Sequence, residues 1–350
     1  MPNILMCGST LDVKGGMTSV VKNYLNYDNW EDTKVTFIAT HTSCNRVLLL
    51  LFFFTSYLRI LLHITFNKIH IAHLHTAEKG SFYRKAFLVQ TFKRFGIKII
   101  LHHHAAEFEE FYSNSSHQQQ NYIARILELS DLNIVLSKRL VSMIHSKAPN
   151  ARIKVLYNAV NIYKRNTYNN SARNVLFLGR LGKRKGAYDL LSSIKYLDNI
   201  IDSDIKFYLC GDGEIEEVKS RAKQMGISHR IAHIGWIDGT QKQDFLKNTM
   251  INVLPSYNEG LPMTILETMA YGIPNISTNI ASIPEVITNG DTGFMIVPGD
   301  VDGLSKSLHK LIDSKELRES ISNHSFCLIS EHFSLDNNIY KLKKIYKSVI

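Results

Sequence analysis

The chain has few cysteines and none spaced as a pair. Cys7, Cys44, Cys210 and Cys327 lie far apart with no C-x2-C among them. That speaks against a disulfide scaffold or a cysteine zinc site, and Cys7 and Cys210 sit in apolar strand-like runs, as structural thiols of a reducing compartment do. The opening apolar run, residues 4–7, is short and has no basic leader, so no secretory signal is expected. No RNP, zinc-finger or helix-turn-helix pattern occurs, which argues against nucleic acid as a partner. No G-x-G-x-x-G follows the first apolar run, which argues against a nicotinamide-dependent dehydrogenase. Long uncharged stretches are also missing. The most apolar segment, residues 47–66, runs for twelve residues before Arg59 and His63 interrupt it, short of the roughly 20 that a membrane span needs. It is expected to be either a buried core helix or a helix lying on the cytoplasmic leaflet with Arg46, Arg59 and Lys68 at the headgroups.

With 350 residues the chain is long enough for two cores. Its net charge of +10 is uneven: residues 1–160 hold 18 Lys and Arg against 10 Asp and Glu. An anionic membrane surface is the partner this bias suggests.

Short runs rich in Ile, Leu and Val recur at 4–7, 35–39, 69–74, 97–102, 132–136 and 153–156, with helical stretches between them. Such alternation predicts a doubly wound, mostly parallel sheet, whose sites lie beyond the carboxyl ends of its strands. Gly15-Gly16 follows the first run and precedes a helix expected over 18–25, so backbone there can approach a phosphate or sugar closely. His73-Leu74-His75 and His102-His103-His104 end two other runs. His73 and His75 share a strand face, but no carboxylate or cysteine completes a convincing metal set, and no metal is expected. The polar, Asn-rich stretch 157–174 is expected to link the halves, and the alternation then resumes at 175–178, 207–210, 231–234 and 251–254.

The stretch 251–274 organises the second half. A strand breaks into a polar turn, Pro262 suits the first position of a new helix, and Gly272-Ile273-Pro274 stops it. The amides of Met263 and Thr264 and the helix dipole would favour an anionic group. Glu259, before the helix, and Glu267, within it, flank that point, and eight residues of helix would separate them by at most about 12 Å. Ile265, Leu266, Met269 and Ala270 have the spacing of a core-facing stripe.

The register of Pro255-Ser256, Glu259-Gly260, Pro262, Leu266-Glu267, Met269-Ala270 and Gly272-Ile273-Pro274 resembles the E-x7-E signature of the retaining glycosyltransferases of family 4. Other segments carry the same likeness: Gly179-Arg180 with Lys185-Gly186, Gly211-Asp212-Gly213, Pro284-Glu285 with Ile287, and Tyr157 to Asn161 at the junction. The resemblance implies a GT-B fold, two Rossmann-like α/β domains facing a cleft. Residues 1–160 would bind the acceptor, 161–334 the nucleotide-sugar, and the helix of 335–350 would return to the first domain.

It also implies roles. Glu259 and His104 would be catalytic, with Ala105 standing where Gly is usual and His103 the alternative histidine. Gly15, Gly16, Arg180, Lys185, Gly260, Met263, Thr264 and Glu267 would bind the donor, with Glu267 on the ribose. Trp236 and Ile237 would lie near the base, though a partly buried core position is the simpler expectation for Trp236. Metal-dependent glycosyltransferases use Asp-x-Asp after a strand. Here Asp202-Ser203-Asp204 and Asp300-Val301-Asp302 fall at turns, the second where Asp can cap a helix, so neither is assigned a cation and no cofactor is expected.

The implied activity is retaining transfer of a hexose or N-acetylhexosamine, UDP-linked by first choice and GDP-linked by second, to a lipid-linked saccharide at the cytoplasmic face of the inner membrane, in O-antigen or capsule synthesis. A sugar-nucleotide 2-epimerase and a non-catalytic scaffold of a polysaccharide complex are the alternatives.

Overall fold

A computed structural model describes residues 1–104 and 106–350; Ala105 lies outside the described residues. The chain divides into two compact units, residues 1–158 with 335–350, and residues 159–334.

In the first unit the order is β1 (Asn3–Ser9), α1 (Gly16–Leu25), β2 (Lys34–His41), α2 (Arg46–Phe66), β3 (Ile71–Thr76), α3 (Gly80–Arg94), β4 (Lys98–His103), α4 (Phe108–Ser113), α5 (His117–Leu129), β5 (Leu132–Val135), α6 (Lys138–His145) and β6 (Ile153–Val155). The six strands form one sheet in the order β2-β1-β3-β4-β5-β6, every pair parallel. Alternation along the strands separates two faces. Leu5, Cys7, Ala72, Leu74, Ile99 and Leu101 pack with Phe82, Ala86 and Val89 of α3 and Ile123 and Leu127 of α5. The opposite face carries His73, His75 and His102, and Tyr24 of α1 lies against the first two.

The second unit runs β7 (Asn174–Leu178), α7 (Ala187–Leu197), β8 (Lys206–Cys210), α8 (Ile215–Gln224), β9 (Ile231–Gly235), α9 (Gly239–Lys247), β10 (Thr249–Leu254), α10 (Met263–Ala270), β11 (Asn275–Thr278), β12 (Phe294–Ile296), α11 (Val301–Asp313) and α12 (Lys315–His332). Its sheet is also wholly parallel, in the order β12-β11-β10-β7-β8-β9. Asp238 and Gln241 close a reciprocal capping box at the start of α9. The final helix, α13 (Leu335–Val349), belongs to the first unit. It is tied there by Asn338 donating to Tyr157 O at 2.6 Å and by Tyr346 meeting His73 at 2.6 Å.

Two expectations are corrected. The apolar segment after β2 is not a buried core helix. Of its 21 residues only Ser56 and Ile60 are buried, while Val47, Leu48, Leu50, Leu51, Phe54, Leu58, Leu62 and Phe66 are exposed. Phe53, Tyr57 and Ile64 form the inner edge, packed against the core. By length and composition α2 is apolar enough to cross a bilayer, because the helix continues through Arg59 and His63 where the uncharged run stops. Second, Pro262 precedes α10 as its N-cap, with extended backbone (φ −69°, ψ 120°), so the helix starts one residue later than predicted. Glu259 therefore lies in the turn, and of the Glu259–Glu267 spacing only residues 263–267 are helical.

Candidate active site

β7, β8 and β10 are neighbours in the second sheet, so the loops leaving their carboxyl ends share one edge. The β7 and β8 loops are joined by backbone bonds, Leu181 N–H to Asp212 O at 2.6 Å and Glu214 N–H to Leu181 O at 3.0 Å. The β7 and β10 loops are joined by Tyr257 N–H to Arg184 O at 2.9 Å. Gly186 makes that approach possible. Its φ is +74°, and a Cβ there would fall 2.0 Å from Pro255 O.

This packing places Lys185 beside Glu259. The lysine ammonium and Ser256 Oγ, the latter at 2.7 Å, both donate to Glu259 Oε1. Glu259 is 5% exposed, and the pair compensates a carboxylate otherwise costly to bury. Oε2 has no partner among the described residues and is left for a ligand. Gly260 follows in the turn, half-buried. Arg180 lies at the mouth of the same loop, exposed, with Nη1 3.5 Å from the Asp212 carboxylate.

At α10 the amides of Ile265 and Leu266 already turn to Pro262 O, leaving those of Met263 and Thr264 at the open end. The Met263 side chain is buried, and Thr264 Oγ1 donates to Leu178 O at 3.0 Å. Both residues thus offer backbone N–H groups to an anion rather than side chains. Further along α10, Glu267 Oε2 accepts from Lys242 Nζ of α9 at 2.6 Å, and Oε1 has no partner among the described residues. After β9, Trp236 is half-exposed rather than part of the core, whereas Ile237 is buried with Leu176, Cys210 and Ile273.

In the first unit Gly15 caps α1 with φ +144°, a conformation that favours glycine, and Gly16 is already the first helical residue. His104 follows β4 and extends its pairing, its N–H donating to Thr76 O at 2.8 Å. Its ring is half-buried, and Nε2 lies 2.9 Å from His75 Nδ1. His103, the other candidate, points to the opposite side of the strand, fully buried, with Nε2 3.0 Å from Asn133 Oδ1. Burial lowers the pKa of His103 to about 4 and those of His73 and His104 to about 3, and holds His75 and His102 well below the ordinary imidazole value.

His73, His75 and His102 bring ring nitrogens within 4.8 Å of one another. Their planes are stacked at 21° and 13° about His73, and His73 Nε2 already meets His102 Nδ1 at 3.1 Å. Nearly parallel rings do not aim their lone pairs at one point, so the trio is packed as neighbours rather than as a ligand set.

Residues 158–326 match the family described as glycosyl transferases group 1. The second unit is of that family, and the chain is a glycosyltransferase. It is 25% identical, over 90% of its length and 93% of the relative's, to an uncharacterized 41.2 kDa protein in the cps region of Klebsiella pneumoniae. It is 29% identical, over 49% of its length and 45% of the relative's, to the UDP-Gal:alpha-D-GlcNAc-diphosphoundecaprenol alpha-1,3-galactosyltransferase of Escherichia coli. Among solved structures, Anabaena HepE in complex with UDP-glucose superposes with a TM-score of 0.77 at 14% identity, covering 99% of both chains. That likeness supports the fold, two Rossmann-like α/β domains of GT-B type.

In this glycosyltransferase the two Asp-x-Asp matches have structural occupations. Arg173 lies 3.6 Å from the Asp202 carboxylate and 3.1 Å from that of Asp204, and Asp300 caps α11 by accepting from Gly303 N–H at 2.8 Å. Sequence reasoning missed Ser256, Lys242 and His75 as supports. Ser256 stands in the signature and could have been found three residues before Glu259. Lys242 gave no signal, because its partner lies 25 residues on, in another helix.

Proposed function

We propose that this glycosyltransferase moves a hexose or N-acetylhexosamine, with retention and without a metal ion, from a nucleotide-sugar to a lipid-linked saccharide in surface-polysaccharide synthesis. The observation that carries the reading is the Lys185–Glu259–Ser256 cluster beside the open amides of α10. A departing nucleoside diphosphate leaves negative charge on phosphate. Arg180, Lys185 and the Met263 and Thr264 amides can meet that charge where it develops, and the Gly15-Gly16 loop is the first unit's contribution. Glu259 holds a donor-sugar hydroxyl through Oε2 and stabilises the electron-poor anomeric carbon. Glu267 accepts from the ribose, His104 orients the sugar, and backbone near Trp236 and Ile237 meets the base.

UDP-sugars are the first choice of donor, supported by the activity for which the E. coli relative is named and by UDP-glucose in the HepE structure, with GDP-sugars second. A lipid-linked acceptor is supported by the diphosphoundecaprenol named for the same relative and by the exposed apolar face of α2, which suits the cytoplasmic side of the inner membrane. Thermal stabilisation by a panel of UDP-, GDP-, ADP- and TDP-sugars, followed by transfer assays with the best stabiliser in chelator, tests the reading. Transfer in chelator supports it. Turnover restored only by magnesium or manganese removes the metal-free mechanism, and an altered sugar formed without acceptor makes the enzyme an epimerase.

A further inference from the structure

Four histidines form a patch on one face of the first sheet. His75 pairs in register with His102 across β3 and β4, His73 stands two residues before His75, and His104 two after His102. Neighbouring ring centroids are 4.4 to 5.3 Å apart. Two hydrogen bonds cross the strands, His75 Nδ1 to His104 Nε2 at 2.9 Å and His102 Nδ1 to His73 Nε2 at 3.1 Å. Among the described residues, the Nε2 atoms of His75 and His102 are buried without a partner.

Those two orphaned atoms fix the direction of both bonds. A neutral imidazole carries one proton, on one nitrogen. With the proton on Nε2 of His75, a buried N–H donor would have no acceptor; with the proton on Nδ1, only a lone pair goes unmet, a lesser loss in a dry site. His75 Nδ1–H therefore donates, and His104 Nε2 accepts. The neighbouring pair has the same polarity. His102 Nδ1–H donates to His73 Nε2, whose own Nδ1–H is then available to Tyr346 Oη at 2.6 Å.

We propose that His75 is a positioning residue that holds His104 in the tautomer protonated on Nδ1, so that His104 presents an N–H donor to the substrate. This rests on the reading of His104 as a residue that faces the donor sugar. The recognised group must then be a hydrogen-bond acceptor, a sugar hydroxyl oxygen or a phosphate oxygen. With its other nitrogen accepting from His75, the ring has no lone pair for the substrate, so His104 does not remove the acceptor's proton.

Long-range proton–nitrogen correlation spectra of the full chain labelled with nitrogen-15 histidine, with His104 assigned through H104Q, read the tautomer at pH 7. The expected wild-type spectrum has a protonated Nδ1 and a pyridine-type Nε2 for His104, and H75F is expected to release population to the Nε2–H form. Transfer by H75F is expected to fall about tenfold, the worth of one oriented hydrogen bond, and H75N, whose side-chain amide can donate, is expected to recover most of it. A wild-type His104 protonated on Nε2, or an H75F protein in which the tautomer is unchanged, overturns the proposal. Because the wild-type spectrum decides the tautomer by itself, a variant that fails to fold leaves the question answered. Full transfer by H104Q would instead overturn the substrate-facing role of His104, leaving the tautomer measurement standing.

Discussion

Lys185 and Glu259 are ion-paired in the second unit with side-chain exposures of 16% and 5%. The sequence pattern assigns them to adjoining parts of a nucleotide-sugar, the lysine to phosphate and the glutamate to the sugar bonded to it. In the structure each is the other's partner, with Lys185 on Oε1 and the proposed donor contact on Oε2 of the same carboxylate.

The pair gives the first prediction. K185M leaves the Glu259 carboxylate buried with only Ser256 to compensate it, and breaking such a pair costs about 3 kcal/mol. E259Q removes the charge but keeps the shape and the Ser256 contact, so it should cost less stability while abolishing transfer. K185M/E259M should recover part of the stability lost in K185M and no activity. Urea unfolding and transfer assays on the three variants check this.

Arg180 should behave differently. Its side chain is 65% exposed and its contact with Asp212 is 3.5 Å long, so R180A should change stability by no more than about 0.5 kcal/mol. Transfer should nonetheless fall about a hundredfold, the scale of losing one charge-stabilising group at a reacting centre. Wild-type turnover in R180A would remove it from the donor site.

Lys242 supplies a third test. It holds Glu267 Oε2 at 2.6 Å, both side chains partly exposed. K242A should raise the KM for donor about tenfold through loss of carboxylate orientation, one or two hydrogen bonds' worth, with kcat nearly unchanged. An equal fall in kcat would place Glu267 in the transition state instead of the binding of ribose.

The two sheets were legible because parallel βα units write apolar runs at regular intervals, and the loops of the candidate site were legible because Gly186 sits where a close approach demands glycine, Pro262 stands just before a helix, and Glu259 falls in register with that proline in the signature. Support residues were less so. His75 acts on His104 across two strands, 29 residues apart, and only strand register brings them together. The choice between a buried and an interfacial α2 was not legible for a related reason. Both of its faces are apolar, so composition cannot say which one meets the core, and only packing singles out Phe53, Tyr57 and Ile64.

The outer face of α2 gives a fourth prediction. Leu50, Phe54 and Leu58 are exposed and lie along one side of the helix. F54D/L58D should leave unfolding unchanged, since neither side chain is buried, and should lower binding to vesicles of anionic phospholipid by at least about tenfold, each apolar side chain inserted in lipid being worth about 1.5 to 3 kcal/mol. Co-sedimentation with vesicles measures it. Undiminished binding would assign membrane contact to another surface.

Acid should weaken the first unit before carboxylate chemistry does. His73 and His103 are fully buried with pKa values lowered by burial to about 3 and about 4, and burial holds those of His75 and His102 well below the ordinary imidazole value. In the unfolded chain these rings titrate near the ordinary value of about 6.5. Between that value and the folded one the unfolded state binds more protons, so stability is full above about pH 6.5 and declines as pH falls through the window. Each histidine contributes a slope approaching about 1.4 kcal/mol per pH unit, and the slopes of separate rings add where their windows overlap. Chemical unfolding between pH 7.5 and 4.5 should therefore show a midpoint that falls steeply below pH 6.5, and H73F/H102F, which removes two of the rings and the bond between them, should flatten that slope. A midpoint independent of pH over this range would mean that the histidine face is wet in solution.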